Sequence, residues 1–313
     1  MIRTVFTQFP KRRCYSTTDS FAELDKWINS PKQLILSDAF HIERMSDLYI
    51  TIPTRDGTRA PFKEPQTSTP LGYGHHLAFF HPRKSENHLR PDGTENDFCP
   101  PAPFTRRMWA GGKMIWNNDS PLTIGGRAIA NCTIGSVGKK GFTDGGKSPK
   151  VFVTQKIELS MLGKEPSIIE ERSHVYLSSA AGVDRTIREV KDIPSSPPDF
   201  SFTYTPTMIT LFRFSALMFN AHHIHLDQEY AQKKQGYPER LVHGPLTAMM
   251  LLEIASLNNP DRTIKSFEYR ARNPVIVNQP STINGVKKDG NTVFLWCVDG
   301  DGVVGMTGLV HLV

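Results

Sequence analysis

The segment Pro245–Asn258 (PLTAMMLLEIASLN) constrains the fold more than any other part of the chain. Its leading proline suits the first turn of a helix. The residues that follow are apolar on nearly every face, so the helix must be wrapped on several sides rather than laid on a surface. Four strand-like segments come directly after it: Ile264–Arg272, Ser281–Lys288, Thr292–Val298 and Val303–Leu312. The turns Asp289-Gly290 and Asp299-Gly-Asp-Gly302 between them are hairpin chemistry. One buried helix before consecutive antiparallel strands predicts an α+β layer with the sheet wrapped about the helix.

The chain has 313 residues, room for about two ordinary domains. In the first half, Lys113–Trp116, Thr123–Ile134, Lys150–Glu158 and Ser173–Ser178 are β-branched or alternating and read as antiparallel strands. Phe21–Asn29 reads as a short amphipathic helix, and residues 30–100, which mix short apolar runs with Pro, Gly and charge, as long excursions over a surface. Asp192–Phe200 (DIPSSPPDF) holds three prolines and two serines, which forbid helix and disfavour ladder pairing. The expected organisation is therefore an N-terminal domain over residues 16–191, a linker over 192–205 and a C-terminal domain over 206–313. In the latter, Thr210 is expected to cap a helix over Leu211–Phe219.

Composition removes several classes of function. With 10% aromatic residues, wholesale disorder is excluded. No run of about 18 apolar residues exists to span a membrane. Four well-separated cysteines without a CxxC pair suggest neither a zinc knuckle nor a disulfide framework, and the chain reads as soluble and intracellular. The net charge of +6 does not imply nucleic acid, because Arg3, Lys11, Arg12 and Arg13 supply four of the six charges. Residues 1–15, acid-free and Arg- and hydroxyl-rich, have the character of a mitochondrial transit peptide, which places the mature chain in the matrix.

Two motif matches fail on context. Gly141–Ser148 (GFTDGGKS) fits the phosphate-loop pattern letter for letter, yet Pro149 and a strand-like segment follow it instead of a helix. Residues 138–149 therefore read as a glycine-rich hairpin loop. Asp299-Gly-Asp301-Gly opens like a calcium loop, but Val310 stands where a bidentate glutamate is needed.

The histidines carry more. His222, His223 and His225 crowd into Asn220–Asp227 (NAHHIHLD), where metal binding, plain solvation and acid–base catalysis are all open readings. Context favours the last. His243-Gly244-Pro245 follows, so the amide of Gly244 sits at the positive start of an apolar helix, free to hold a developing oxyanion. A loop histidine beside a helix-start glycine is what enolate chemistry at a thioester requires.

These residues also carry a resemblance. FRFSALMFNAHHIHLDQEYA (212–231) followed by GYPERLVHGPLTAMML (236–251) resembles the hydratase segment of the MaoC-like hot-dog hydratases and dehydratases. The arrangement is similar to that of the fungal mitochondrial hydroxyacyl-thioester dehydratases of type 2. LGYGHHL (71–77) and PFTRRMWAGG (103–112) are similar to the N-terminal half of those proteins. The resemblance implies a double hot dog, two antiparallel sheets each wrapped on a central helix. It implies reversible dehydration of (3R)-3-hydroxyacyl thioesters, borne on acyl carrier protein or coenzyme A, in mitochondrial fatty acid synthesis. It implies no cofactor and no metal, and a homodimer stays open. By position, His225 matches the family's catalytic histidine and Gly244 its oxyanion-hole glycine. The usual aspartate five residues before the histidine is Asn220 here, which can position a hydroxyl but not exchange a proton. His225 is then expected to shuttle protons almost alone, helped by His222 or Asp227. The N-terminal half, which lacks a His/Gly pair, is expected to act as a lid for the acyl chain. Two other readings remain: a hydratase of a short branched dicarboxyl-coenzyme A ester such as mesaconyl-CoA, and a non-catalytic acyl-binding protein.

Overall fold

The computed structural model describes residues 17–142, 149–178 and 186–313. The transit segment expected over residues 1–15 and the tip of the glycine-rich loop lie outside them. Among the described residues ten strands form one sheet in the order β1-β3-β4-β5-β2-β7-β10-β9-β8-β6, every neighbouring pair antiparallel. The first five are β1 (Gln33–Ala39), β2 (Phe104–Trp116), β3 (Arg127–Lys140), β4 (Lys150–Met161) and β5 (Pro166–Ser178). The rest are β6 (Phe200–Tyr204), β7 (Ile264–Ala271), β8 (Ser281–Lys287), β9 (Thr292–Asp299) and β10 (Val304–Leu312). Each half of the chain thus builds five strands, and the two sheets join edge to edge where Gly111–Ile115 of β2 pair with Ser266–Arg270 of β7. This is the double hot dog.

Among the described residues five α-helices accompany the sheet: α1 (Thr17–Asn29), α2 (Ile42–Tyr49), α3 (Met208–Met218), α4 (His223–Leu226) and α5 (Gly244–Leu257). The apolar segment 245–258 behaves as its sequence demands. Every residue of α5 from Pro245 to Ala255 is buried, and the helix packs on β7, β8, β9 and β10. Each Leu, Ile or Met so buried stabilises the fold by about 1.5–3 kcal/mol. One of those buried residues is charged. Glu253 accepts hydrogen bonds from Thr54 Oγ1 (2.9 Å) and bidentately from Arg55 (2.8 and 2.9 Å), and lies 2.7 Å from His75 Nε2. Burial opposes its charge, but His75 and Arg55 more than offset this and hold its carboxyl at about 2. All three partners come from the N-terminal half, so Glu253 bolts that half onto the central helix.

Three expectations change. The stretch 30–100 is a surface excursion only in part: residues 55–70 are irregular and mostly exposed, but the stretch also supplies β1, α2 and the buried turn His75–Ala78. Its two histidines go inside because Glu253 and Glu170 partner them, a pairing that no local pattern announces. Within the expected linker, Phe200–Tyr204 is strand β6 on the edge of the C-terminal sheet, as its alternating FSFTY sequence permits. Helix α3 is capped by Thr207 rather than Thr210, and Thr210 completes a capping box from within the first turn. The glycine-rich segment does lie between antiparallel strands, with Lys140 opposite Lys150. A phosphate loop would need a helix there.

Candidate active site

His225 lies in the short helix α4, on a loop threaded between α3 and α5. Its Nδ1 donates to the carbonyl oxygen of Leu241 at 2.8 Å, which fixes the tautomer and leaves Nε2 as a lone-pair acceptor. The ring is half-buried and lines a cavity of about 1390 Å³. Burial lowers its pKa to about 4, the Leu241 carbonyl opposes that shift, and nearby Arg107 adds to it. At neutral pH His225 is a neutral base.

The imidazole is held from behind. His243, the residue before α5, is fully buried and stacks on His225 with centroids 3.8 Å apart and planes 24° from parallel. Its Nε2 lies 2.9 Å from Ser215 Oγ on α3. The sequence marks His243 only as a neighbour of Gly244, and its place as a shelf for the His225 ring emerges from the fold.

Gly244 is the first residue of α5 and lines the same cavity. A helix leaves its first N–H groups without intrahelical acceptors. Pro245 has no N–H, so the Gly244 amide is one of the few donors that this end of the helix can offer. A side chain is excluded here, because a Cβ on Gly244 would lie 2.8 Å from Cγ of Trp109. Trp109 is a second residue that sequence reasoning did not single out, although it falls in the RRMWAGG stretch.

Asn220 and His222 line the cavity with His225. Asn220 Oδ1 accepts from the backbone N–H of His222 at 3.0 Å, which pins the start of the loop and leaves the Nδ2 amide to offer. The His222 ring meets His225 edge to face at 5.4 Å. Its pKa is held well below the ordinary value by burial, then by His225, Arg107 and Arg90. Asp227 is not part of this group. It is exposed, and its carboxylate accepts from the N–H of Tyr230 at 2.9 Å, capping the next turn. The three loop histidines do not converge as metal ligands would: His223 turns to Tyr230 while His225 bonds Leu241. No group of three His, Cys, Asp or Glu among the described residues is placed to hold a metal ion.

The opposite wall comes from the N-terminal half, which the sequence leads one to expect as a lid for the acyl chain, and it is mixed in character. Leu34, Leu36, Ala130, Ile157 and Leu159 line one part of the cavity, but Arg107, Glu170, Arg172 and His174 line another. The register pairs Arg107 with Tyr176 and Trp109 with His174, which puts these side chains on one face of β2 and β5. Glu170, fully buried, takes a bidentate bond from Arg172 (2.6 and 2.9 Å) and lies 3.2 Å from His76 Nε2. Burial works against its charge, yet Arg172 and His76 hold it at about 2. Arg107 has Glu95 at 3.8 Å, too distant for a hydrogen bond. A neutral base, a helix-start amide and a wall that carries charged residues therefore face one cavity, an arrangement suited to removing a proton and holding the resulting enolate.

Comparison with known proteins agrees with this chemistry. A family model described as hydroxyacyl-thioester dehydratase type 2 matches residues 74–277. The chain is 34% identical over 257 residues to mesaconyl-C(4)-CoA hydratase of Chloroflexus aurantiacus, covering 80% of this chain and 87% of that one. It is 31% identical over 252 residues to mitochondrial hydroxyacyl-thioester dehydratase type 2 of Schizosaccharomyces pombe, covering 73% and 80%. Among solved structures, a MaoC-like dehydratase from Phytophthora capsici superposes with a TM-score of 0.65 at 18% identity, over 93% of this chain and 97% of that one. A double-hotdog protein of Mycobacterium tuberculosis gives 0.52 at 10% identity, over 90% and 96%.

Proposed function

The chain belongs to the hydroxyacyl-thioester dehydratase type 2 family of thioester hydro-lyases, and from that premise we propose that it dehydrates (3R)-3-hydroxyacyl thioesters reversibly in mitochondrial fatty acid synthesis. The observation that carries the proposal is the tautomer-locked, neutral His225 sharing one cavity with the first amide of α5. In the dehydration direction, Nε2 of His225 removes the proton from C2. The electron pair moves onto the thioester carbonyl oxygen, which the Gly244 N–H holds. The pair then returns to form the C2=C3 double bond, and the C3–O bond breaks. His225 passes the proton to the departing hydroxide, which leaves as water. Asn220 orients the C3 hydroxyl through its amide. The mitochondrial setting is supported by the fungal relative's name and by the basic leader-like segment over residues 1–15.

A second reading has its own support. The C. aurantiacus relative is named for mesaconyl-C(4)-CoA, and a short dicarboxylic acyl group would suit a cavity lined by Arg107. Hydration is followed by loss of the absorbance of a conjugated enoyl thioester. Purified protein is given a medium-chain trans-2-enoyl thioester and mesaconyl-CoA in parallel. Faster turnover of the first supports the fatty-acyl role, and faster turnover of the second moves the assignment to the dicarboxyl ester. If neither is hydrated at any chain length, the lyase reading is wrong and an acyl-binding role takes its place.

A further inference from the structure

Asn220 places an amide rather than a carboxylate five residues before His225, so it matters whether another part of the fold brings a carboxylate to the loop. The turn over residues 90–94 does. Arg90 N–H donates to Thr94 O and Gly93 N–H to Arg90 O, both at 2.8 Å, and the turn is docked on the histidine loop at two points. The N–H of His223 donates to the carbonyl oxygen of Asp92 at 3.0 Å. Gly93, at φ +81°, lies so close to Ala221 that a Cβ would stand 2.1 Å from its carbonyl oxygen. Only glycine permits that approach.

Within this turn the two oxygens of Asp92 have separate duties. Oδ1 accepts from the N–H and the hydroxyl of buried Thr94, at 3.1 and 2.7 Å. Oδ2 faces Nε2 of His222 at 4.0 Å and Nη2 of Arg90 at 3.7 Å. Arg90 is tethered elsewhere, its guanidinium donating to the carbonyl of Thr105 and to Cys99 Sγ. Asp92, His222 and His225 all line the cavity. The other charged or titratable groups around them include Arg107 on β2, Glu95 beside it, His223 on α4, Tyr230 beyond it and His243 before α5.

We propose that Asp92, from the N-terminal half, supplies the carboxylate that position 220 lacks, acting as a positioning residue for His222. An anionic oxygen beside Nε2 favours the tautomer with hydrogen on Nε2 and leaves Nδ1 as an acceptor. Neutral His222 then accepts a hydrogen bond from the water that adds at C3, or from the hydroxyl that leaves, while His225 carries the proton. This inference rests on the hydro-lyase reading. It also makes the site a product of both halves, although the His/Gly motif lies in one.

The test compares Asp92→Asn, Asp92→Glu and the double variant Asp92→Asn/Asn220→Asp with wild type. Asparagine keeps the Oδ1 acceptor for Thr94, so the turn survives and only the charge is lost. Loss of a carboxylate that orients a functional histidine costs about tenfold to a hundredfold, expected here in kcat with KM little changed. Asp92→Glu is expected to retain most activity, and Asn220→Asp to restore much of what Asp92→Asn loses. Nitrogen-15 NMR of the imidazoles gives a readout independent of turnover: His222 should hold its hydrogen on Nε2 in wild type and lose that preference in Asp92→Asn. Unchanged kcat in Asp92→Asn overturns the proposal. So does a loss that Asn220→Asp does not restore, or an unaltered His222 tautomer. If wild type hydrates no enoyl thioester, the hydro-lyase reading fails by itself while the NMR result still reports on the Asp92–His222 pair.

Discussion

The protonation state of His225 can be tested directly by pH. The free imidazole titrates near 6.5, whereas burial, with Arg107 adding and the Leu241 carbonyl opposing, brings His225 to about 4. The sign follows from which form is lost. Proton removal at C2 needs the neutral ring, and a lowered pKa keeps that form present as the solution is acidified. At pH 5 about nine-tenths of the sites still hold neutral His225, against roughly 3% for an unperturbed histidine. The expected kcat/KM profile is therefore flat from pH 8 to about 5.5 and halves near 4. The assay is the initial rate of absorbance loss of an enoyl thioester, with each sample returned to neutral pH afterwards. That return separates titration from unfolding, which is needed because His222 and His243 are also held well below their ordinary values, mainly by burial. All three histidines bind protons more readily in the unfolded chain, so fold stability is greatest above about pH 6.5 and falls as pH drops towards 4. His225→Ala removes the base and should lower turnover by about a hundredfold to ten-thousandfold, or about 2.7–5.4 kcal/mol of barrier. A reversible acid limb centred between 6 and 7, or near-normal turnover in His225→Ala, would refute the assignment.

Other substitutions separate the remaining roles. Asn220→Asp should keep substantial activity, because one oxygen still accepts the His222 N–H, while Asn220→Ala should fall between it and His225→Ala; steady-state kinetics give the ranking, and an inactive Asn220→Asp contradicts it. Gly244→Ala keeps the amide but drives a Cβ against Trp109, so turnover should fall by about a hundredfold; Trp109→Leu in the same chain should recover part of it, and no recovery would mean that the indole is not the obstacle. Glu253→Ala leaves His75 and Arg55 facing an empty place in the interior and should cost about 3–5 kcal/mol in denaturant unfolding. A shift below 1 kcal/mol there would show that the halves are held together by other contacts.

How much of this was legible in the sequence depended on whether the signal was local. α5 and its four following strands announced themselves because a helix apolar all round and turns rich in Asp-Gly need no distant partner to be recognised. Gly244 was legible for the same reason: helix start, missing side chain and proline lie in three consecutive residues. The buried pairs were not. His75 with Glu253 and His76 with Glu170 are separated by 178 and 94 residues, so two histidines in a glycine-rich stretch read as surface when the fold carries them inside. His225 was found through its loop, but its base character depends on the Leu241 carbonyl, on stacking against His243 and on burial, all set by tertiary structure. Asp227 shows the converse. Two residues from His225, it was the natural helper in one dimension, yet the turn after α4 sends its carboxylate to the Tyr230 amide. Asp92, 130 residues before His222, reaches that imidazole because a glycine lets two backbones approach. Proximity along the chain therefore pointed to a carboxylate that turns away to the Tyr230 amide, while the first half of the chain brings another within 4.0 Å of His222.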